Sequence, residues 1–504
     1  MYSSLRHVAR LVGIVRTLAR HDALFPLAML EGVPSIGWLA RRLSRQRLAG
    51  RPGRKLAEAL QDLGPSFIKL GQALSTRPDL LGERVAQDLA TLQDRLPPFP
   101  AEQAIATIEA EIGRPLAAIY AAFDPVPVAA ASIAQVHAAR TTEGEAVAVK
   151  VLRPGIEAAF ARDLDLFLWL ARLVERFDPS MRRLRPVEVV RTLAATVRTE
   201  MDLRLEAAAA VELNDNFAGD PWFRVPRIDW TRTGQRVLTM EWIDGIPIDE
   251  RERLIEAGHD VRAILTQAAN AFFAQVFRDG FFHADMHAGN VFIEADGTLV
   301  AIDFGIMGRL DQRTRDYLAD MLIGFVTRNY RLVAEVHFRA GYVPPDQSLP
   351  DFAQAARSIG EPILERPLNE ISIGRLLAQL FQITEQFNMP TQPRLLLLQK
   401  TLLMAEGIGR RLDPTVNMWT LARPLVEQWL RENRGPEARL QRLLQDALVA
   451  AERLPELVDT LEAAAERVAE GRLLAYWRER GFWARLWPLW FAVATVSTLA
   501  LIFS

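Results

Sequence analysis

Apolar strand patterns and helical periodicity occupy separate parts of the sequence. Alternating or β-branched apolar runs, bounded by turn residues, predict strands within 126–152, 224–230, 236–242 and 291–302. Apolar residues at helical spacing predict helices within 101–112, 156–217, 262–277 and 311–435. The pattern therefore predicts an α+β protein in which the residues after 310 are mostly helical.

Residues 1–60 form a basic, amphipathic N-terminal region with eleven Lys or Arg and three Asp or Glu. One helical face collects its apolar residues, which are Leu5, Val8, Leu11, Val12, Val15 and Leu18. Arg6, Arg10 and Arg20 fall on the opposite face, with Arg16 near the boundary. Three interpretations remain open: a helix at a membrane surface, a mitochondrial transit peptide, or a helix packed on its own domain with a solvated arginine face.

The last 19 residues, 486–504, form an uncharged apolar run. At ~1.5 Å per residue the run spans roughly 28 Å, against ~30 Å for a hydrocarbon core, which predicts one C-terminal transmembrane helix. Trp487 and Trp490 suit an aromatic belt, and the arginines before the run predict that the globular part faces the cytoplasm. The expected location of the anchor is the inner membrane. Residues 436–485 read as an amphipathic helical stalk. The alternative to a transmembrane helix at 486–504 is a buried C-terminal helix.

Composition excludes several classes of protein. The 504-residue chain has a formal net charge of −2, which argues against a general nucleic-acid binder. It contains no Cys, which excludes disulfides, Cys-ligated zinc and thiol nucleophiles. Its seven His include no His-Glu-x-x-His pattern of the zinc metalloproteases.

The clearest chemical pattern surrounds a predicted hairpin with a turn at Asp296-Gly297. Before the hairpin, Asp285 is followed five residues later by Asn290, and Asp303-Phe-Gly comes after it. In protein kinases, the first acid of this pattern orients or deprotonates the attacking hydroxyl or water, and the Asn and second Asp bind Mg²⁺. Alone, Asp303-Phe-Gly would be a chance turn tripeptide, whereas the complete spacing favours a nucleotide site.

Lys150 lies within the apolar run Ala146–Leu152, where an unpaired ammonium is costly. Either it extends from an edge strand into solvent, or it contacts phosphate and a carboxylate, as the strand-three lysine of kinases does. The second interpretation is favoured. Glu200, Asp202 and Glu206 are candidate partners, and Glu206 is the natural helix-borne acid.

Met240–Gly245 follows a predicted strand and has the place of a hinge between two lobes. A hinge reads an adenine edge through backbone amides and carbonyls. We therefore assign Glu241 and Ile243 as candidate nucleotide-binding residues.

With these segments in place, residues 60–415 resemble the UbiB family of atypical kinase-like proteins of ubiquinone biosynthesis. The resemblance rests on four motifs, which are Lys69-x-Gly-Gln72, Ala129-Ala130-Ala131-Ser132, Glu200-x-Asp202 with Glu206 following, and His283-x-Asp285-x-His-x-x-Asn290. The sequence departs from the family at Met286 and Ala288, where prolines are usual, and at Ala209, where Asn is expected. None of these three positions is assigned to phosphate or metal.

The resemblance implies a two-lobed, protein-kinase-like fold with an N-terminal helical extension at 61–122, an N-lobe at 123–245 and a C-lobe at 246–435. It implies that Ala129–Ser132 replaces the glycine-rich loop over ATP. It also implies a regulatory group that lies over the active site, where a protein substrate would otherwise dock, formed by Lys69, Gln72, Glu200 and Asp202. By composition alone, Lys69 would instead be a surface lysine.

The same resemblance implies a Mg²⁺-dependent ATPase that supports ubiquinone biosynthesis, with Lys150, Glu206 and Asp285 as catalytic residues and Asn290 and Asp303 as metal ligands. The expected partners are a membrane lipid or quinone precursor and other ubiquinone-biosynthesis proteins, with no nucleic acid, and a homodimer is left open. Two alternatives remain: a protein kinase acting on a biosynthetic enzyme, and a nucleotide-binding pseudokinase scaffold.

Overall fold

The computed structural model describes residues 2–25, 51–75, 82–89, 92, 96–177, 185–364, 379, 382–384, 386–389 and 393–415. The predicted stalk at 436–485 and the predicted transmembrane helix at 486–504 lie outside these residues, as does the end of the predicted C-lobe. Within the described ranges, no helix is both long enough and apolar enough to span a bilayer.

All of the described strands lie between residues 120 and 309, with helices before, among and after them. The α-helices are α1 (Tyr2–Arg20), α2 (Pro52–Leu63), α3 (Pro65–Ser75), α4 (Glu83–Leu89), α5 (Ala101–Ile112), α6 (Leu116–Ile119), α7 (Ile156–Phe177), α8 (Pro186–Glu200), α9 (Leu203–Asn216), α10 (Arg251–Glu256), α11 (Val261–Phe273), α12 (Gln312–Val326), α13 (Tyr330–Arg339), α14 (Leu349–Leu364) and α15 (Pro393–Leu412). The strands are β1 (Tyr120–Phe123), β2 (Ala129–Ala130), β3 (Ala134–Thr141), β4 (Ala146–Leu152), β5 (Phe223–Arg224), β6 (Val237–Glu241), β7 (Ile246–Pro247), β8 (Phe281–His283), β9 (Val291–Ile293), β10 (Leu299–Ala301) and β11 (Met307–Arg309).

Helices α2 and α3 are joined with almost no loop. Pro52 and Pro65 begin the two helices, where a missing amide hydrogen costs nothing, and Gly64 makes the turn between them with φ of +104°. Gly71 lets α3 approach closely, because a Cβ there would overlap the Leu92 side chain and lie 2.8 Å from Leu60 Cδ1. The glycine of the Lys69-x-Gly-Gln72 motif thus has a packing role.

The extension packs on α7 and α8. Phe67 of α3 makes an edge-to-face contact with Phe167 of α7, with 5.0 Å between ring centroids. The same apolar cluster includes Leu193 of α8 and Leu238 of β6, so it reaches one face of the N-lobe sheet. The extension and the N-lobe therefore share a core.

Helix α1 packs on its own domain, which is one of the three interpretations of the basic N-terminal region. Arg10 pairs with Asp163 of α7 at 3.1 Å, and Ile14 is buried. The contact face is rotated from the apolar stripe in the sequence, because Val12 is 63% exposed. Arg10, predicted to be solvated, has an acidic partner that helical periodicity alone does not reveal.

The N-lobe sheet has the antiparallel order β1-β3-β4-β6, with β2 added to β3. On β4, Val147, Val149 and Val151 pack against Ala104 and Ile108 of α5. Alternation places Lys150 on the opposite face of the strand. Because β4 lies between β3 and β6, Lys150 is on a central strand rather than an edge strand.

The C-lobe begins with a small sheet of order β5-β10-β9-β7, followed by the β8–β11 pair. The predicted hairpin is present: β9 and β10 pair with Leu299 opposite Ile293, and Gly297 in the turn has φ of +89°. The predicted helix at 262–277 is α11 followed by a π-helix, Ala274–Asp279. The prediction of strand at 224–230 was largely wrong, since only Phe223–Arg224 pairs as a strand there.

Two elements cross the predicted domain boundaries, and β5 (Phe223–Arg224), which falls within the predicted N-lobe, pairs with β10 of the C-lobe sheet. Helix α2 continues past residue 60, and β1 begins at Tyr120, before the predicted start of the N-lobe at 123. The cause is packing: Leu56 and Leu60 of α2 belong to the extension's core, and Tyr120 belongs to the cluster behind the N-lobe sheet.

Candidate active site

Lys150 connects the two lobes at the centre of the candidate site. Its Nζ lies 2.7 Å from Glu206 Oε1, in the first turn of α9, and 2.9 Å from Asp303 Oδ1, after β10. Lys150 and Glu206 are almost fully buried, whereas the Asp303 side chain is 48% exposed. The structure therefore brings together three of the predicted residues, with the carboxylate of Asp303 facing accessible space.

The charges of these three groups are strongly coupled. Burial raises the pKa of Glu206 to about 7, although the Lys150 ammonium opposes the rise. Burial also disfavours the charged forms of the other two, but attraction between opposite charges outweighs it, so the pKa of Lys150 is raised and that of Asp303 is lowered. Of the two carboxyl groups, Glu206 is the one that takes up a proton first as the pH falls.

Asp303 has φ of +62°, in the left-handed region that few residues other than Gly adopt. Asp and Asn adopt it more readily than other side chains do. The turn after β10 thus sets the position of the Asp303 carboxylate through the backbone as well as through Lys150.

A buried imidazole ties the loop of Asp285 to the segment before Asp303. His283 Nδ1 accepts the Asp285 amide hydrogen at 3.2 Å, so Nε2 carries the ring hydrogen and donates to the Ile302 carbonyl at 3.1 Å. Burial lowers the pKa of His283, which favours this neutral form. The sequence motif contains His283, but its positioning role was not predicted because it depends on a contact 19 residues away.

Asn290 is also oriented by the loop. Its side-chain Nδ2 donates to the Asp285 backbone carbonyl at 3.2 Å, and its backbone carbonyl accepts the Ile302 amide hydrogen at 2.9 Å. That arrangement leaves the side-chain carbonyl oxygen as the ligand atom. Asn290 Oδ1 and the Asp303 carboxylate are hard oxygen donors of the kind that Mg²⁺ prefers.

The donor set fits Mg²⁺ held jointly with phosphate rather than an all-protein metal site. Across the part of the chain that the structure describes, no group of three or more His, Cys, Asp or Glu is arranged to hold a metal ion. Asn290 and Asp303 supply two ligands. Magnesium sites of this type complete their octahedron with waters and substrate phosphates.

The alanine-rich loop is held to the sheet and to the linker before α5. Ala129 and Ala130 form β2, and the Ala131 amide donates to the Ala134 carbonyl at 2.7 Å. Arg153 donates to the Ala131 carbonyl through Nε and Nη2, and Nη2 also reaches the Pro97 carbonyl at 2.8 Å. The loop is thus braced by a guanidinium that sequence reasoning did not identify.

Ser132 follows these alanines and is completely buried. Its hydroxyl is one of the buried polar groups for which the described residues provide no hydrogen-bond partner. An unsatisfied buried hydroxyl is costly. Because the hydroxyl is not accessible, the predicted nucleotide-binding role of Ser132 stays a prediction.

The predicted hinge residues lie where the sheet ends. Glu241 is the last residue of β6, the Trp242 amide donates to the Ala146 carbonyl at 3.1 Å, and Ile243 follows beyond the strand. The Glu241 carboxylate pairs with Arg224 at 3.0 Å, so its side chain is committed to structure. The Glu241 amide donates to the Arg227 carbonyl at 2.9 Å, so any contact of Glu241 with adenine would use its backbone carbonyl.

Lys69 is buried in an ion pair, so the composition-based interpretation of a surface lysine is wrong. Its Nζ lies 2.8 Å from Glu200 Oε2, and the two side chains are 9% and 6% exposed. Helix α3 meets α8 at this pair. Asp202 instead caps α9 by accepting the Arg204 amide and pairs with the Arg204 guanidinium at 2.7 Å. The contacts of Asp202 thus give it a structural role as well.

The other regulatory candidate, Gln72, is partly exposed on α3, and its carbonyl accepts the Ser75 hydroxyl at 2.7 Å. That bond involves the backbone, so it assigns no function to the Gln72 side chain. Its regulatory role stays a prediction.

Asp285 has a partner that was not predicted. Lys400 of α15 places Nζ 2.6 Å from Asp285 Oδ1, and the two side chains are 33% and 28% exposed. The surrounding sequence, Gln399-Lys-Thr-Leu, is conspicuous, but helical spacing alone could not assign it a partner 115 residues away.

Two family models match successive parts of the chain. Residues 91–337 match the ABC1 atypical kinase-like domain, and residues 356–417 match the UbiB helical domain. Lys150, Glu206, Asp285, Asn290 and Asp303 all lie within the first match. Lys400 lies within the second.

Curated relatives and a solved structure are similar to most of the chain. A Marinobacter nauticus protein named "Probable protein kinase UbiB" is 46% identical over 450 residues, covering 87% of this chain and 82% of the relative. An Azotobacter vinelandii protein of the same name is 44% identical over 477 residues, covering 92% and 87%. Rv3197 of Mycobacterium tuberculosis, solved as a complex with erythromycin, has a TM-score of 0.51 and 25% identity, covering 77% of this chain and 97% of that one.

Proposed function

Because the chain belongs to the UbiB family of atypical kinase-like proteins, we propose that it is a Mg²⁺-dependent ATPase that supports ubiquinone biosynthesis. The observation that carries the proposal is the double contact of Lys150 with Glu206 and Asp303. It joins a central strand of one lobe to the turn after a hairpin of the other.

Each residue of the site has a distinct proposed role. Lys150, held by Glu206, binds the phosphates of ATP, and the alanine-rich loop covers them. Asn290 and Asp303 hold Mg²⁺, which neutralises phosphate charge when bound. The Asp285 carboxylate orients the attacking water. His283 fixes the backbone of Asp285 by accepting its amide hydrogen.

Hydrolysis of ATP at this site needs no reactant other than water. The water oxygen forms a bond to the terminal phosphorus, and the bond from that phosphorus to the bridging oxygen breaks. ADP leaves with the electron pair of the broken bond. A water proton passes to the Asp285 carboxylate and then to solvent or to the released phosphate.

Phosphate release by purified protein tests the assignment of the metal ligand. We expect Asp303→Asn to abolish Mg²⁺-dependent nucleotide binding and turnover, because one anionic ligand is lost. Asp296→Asn is a matched control, since Asp296 is exposed and caps the hairpin turn by accepting the Thr298 amide. Wild-type binding and turnover in Asp303→Asn would disprove the role of Asp303.

The names of the relatives favour one alternative, a protein kinase that modifies a biosynthetic enzyme. In that case, phosphoryl transfer to a partner protein should depend on Asp285. An ATPase should instead release phosphate without any protein substrate, and faster with liposomes that contain a quinone precursor. A pseudokinase scaffold should bind nucleotide without turnover in either assay.

We also propose that residues 486–504 anchor the protein in the inner membrane, with the catalytic part in the cytoplasm. The proposal rests on the length and lack of charge of this run. Deleting Leu486–Ser504 should release the protein from membranes in fractionation. A truncated protein that remains wholly in a salt-resistant membrane pellet would contradict the anchor.

A further inference from the structure

Lys400 and Asp285 come from different matched domains. Asp285 belongs to the kinase-like domain, whereas Lys400 belongs to the helical domain that follows it. Their side chains meet at 2.6 Å, and both remain partly exposed. The proposed reaction centre is therefore completed by a residue from outside the kinase-like domain.

Helix α15 is firmly placed beneath the catalytic loop. Leu397 and Leu398 pack against the cluster of Val276, Phe282, Ala284 and Leu310. Thr401 Oγ1 donates to the Leu397 carbonyl at 3.0 Å and lies 3.5 Å from the His283 carbonyl. These contacts hold the α15 backbone on either side of Lys400 against β8. The Lys400 ammonium therefore extends to Asp285 from a backbone whose position is fixed.

The far end of α15 is attached as well. Arg251 donates to the Leu412 carbonyl at 2.8 Å, and Arg411 pairs with Asp249 at 2.6 Å. Both ends of the helix are therefore bound to the C-lobe. The position of Lys400 follows from the packing of the whole helix rather than from its pair with Asp285.

We propose that Lys400 is a catalytic residue, which both orients the Asp285 carboxylate and donates a hydrogen bond to a terminal phosphate oxygen of ATP. This inference rests on the proposed function. An ammonium has three N–H donors, and the contact with Asp285 uses one of them. A positive charge beside the transferred group stabilises the negative charge of its equatorial oxygens in the transition state.

A purely structural pair predicts different behaviour. A partly exposed ion pair adds little to stability and has no reason to distinguish ATP from ADP. A lysine that contacts the terminal phosphate binds ATP better than ADP and raises kcat. The difference between ATP and ADP therefore separates the two accounts without relying on turnover.

The test compares Lys400→Met with wild type in the full-length protein. We expect kcat to fall about 10²- to 10³-fold, as for the loss of one transition-state donor. ATP affinity should fall about tenfold, the effect of one lost hydrogen bond to a charged group, and ADP affinity should change less than about twofold. Lys400→Arg keeps the charge and should recover much of the preference for ATP.

Lys55→Met is the matched control. Lys55 of α2 pairs with Asp22, which follows α1, at 2.9 Å, so the variant removes another lysine–aspartate pair by the same substitution. This pair is more buried, with 13% and 12% of the side chains exposed, so the control also covers a loss of stability. It should leave the ratio of ATP to ADP affinity unchanged. Lys400→Gln replaces Lys400→Met if the methionine variant does not fold.

Two results would overturn the inference: a kcat within about threefold of wild type with an unchanged affinity ratio, or equal losses of ATP and ADP affinity. Asp303→Asn separates this failure from that of the proposed function. If Asp303→Asn loses Mg²⁺-dependent turnover and Lys400→Met behaves as wild type, only the role of Lys400 is wrong. If wild type shows no Mg²⁺-dependent binding or turnover, the proposed function itself is wrong.

Discussion

Two lysine–carboxylate pairs join helices outside residues 91–337, the part matched to the kinase-like domain, to carboxylates within it, and the two pairs differ in depth. Lys69 and Glu200 are less than a tenth exposed, whereas Lys400 and Asp285 are about a third exposed. A buried pair has no solvent or ligand to replace a lost partner, so breaking it leaves a bare charge. A partly exposed pair exchanges partners at low cost. The difference in burial thus distinguishes a structural ion pair, Lys69–Glu200, from a lysine that is accessible to substrate, Lys400.

The largest expected effect lies at the buried pair. Lys69→Met should lower the free energy of unfolding by about 3–5 kcal/mol, because it leaves Glu200 buried without its partner. Lys400→Met should lower it by about 1 kcal/mol or less. Urea unfolding of both variants measures the difference. Equal effects would remove the distinction between the two pairs.

The double variant Lys69→Met with Glu200→Leu is the control for this prediction. Replacing both members of a buried pair by apolar residues is often neutral, so its stability should return to within about 1 kcal/mol of wild type. If the loss persists, it comes from packing rather than from the unpaired carboxylate. The ATP and ADP affinities of the stable double variant then test whether the Lys69–Glu200 pair regulates nucleotide binding at the site.

A somewhat smaller effect is expected at Glu206, which shares Lys150 with the exposed Asp303. Burial raises the pKa of Glu206 from the ordinary 4.5 to about 7 in the folded protein. Between pH 4.5 and pH 7, Glu206 is therefore protonated in the folded protein and ionised in the unfolded chain. The resulting stabilisation is present below about pH 4.5 and is lost as the pH rises through 7. The Glu206→Gln variant should therefore gain about 2.5 kcal/mol relative to wild type between pH 5 and pH 8.

Unfolding curves of wild type and Glu206→Gln at several pH values check the direction of this change. A difference that is constant between pH 5 and pH 8 would mean that Glu206 stays charged throughout. Lys150 would then hold both carboxylates as anions.

The smallest expected effects compare a glycine near each pair. Gly71→Ala in α3 should destabilise the protein by about 1–3 kcal/mol, because the new Cβ meets Leu60 and Leu92. Gly407→Ala in α15 meets nothing within 4 Å and should stabilise by up to about 1 kcal/mol through helix propensity. Thermal unfolding of both variants gives the two signs. A loss at Gly407 would mean that α15 is packed as tightly there as α3.

The parts of the fold that the sequence could predict are local. The β9–β10 hairpin follows from two short apolar runs and a glycine turn, and the position of Lys150 follows from the β4 pattern. The partnership of Lys150 with Glu206 required the resemblance to kinases as well, because 56 residues separate them.

The contacts that escaped prediction depend on packing between distant segments. The depth of Lys69 follows from the approach of α3 to α8, which no periodicity within α3 encodes. Arg10 likewise finds Asp163 only because α1 packs on α7 through a face rotated from its apolar stripe. A sequence pattern indicates which face of a helix is apolar, but it does not identify the helix that covers it.

The left-handed backbone of Asp303 restricts how this site can be lost during divergence. A lineage that abandons metal binding can replace Asp303 by Asn or Gly and keep the turn, since both adopt positive φ readily. A β-branched residue there would disturb the backbone and displace one partner of Lys150. Inactive descendants of this protein should therefore carry Asn or Gly at this position more often than Val or Ile.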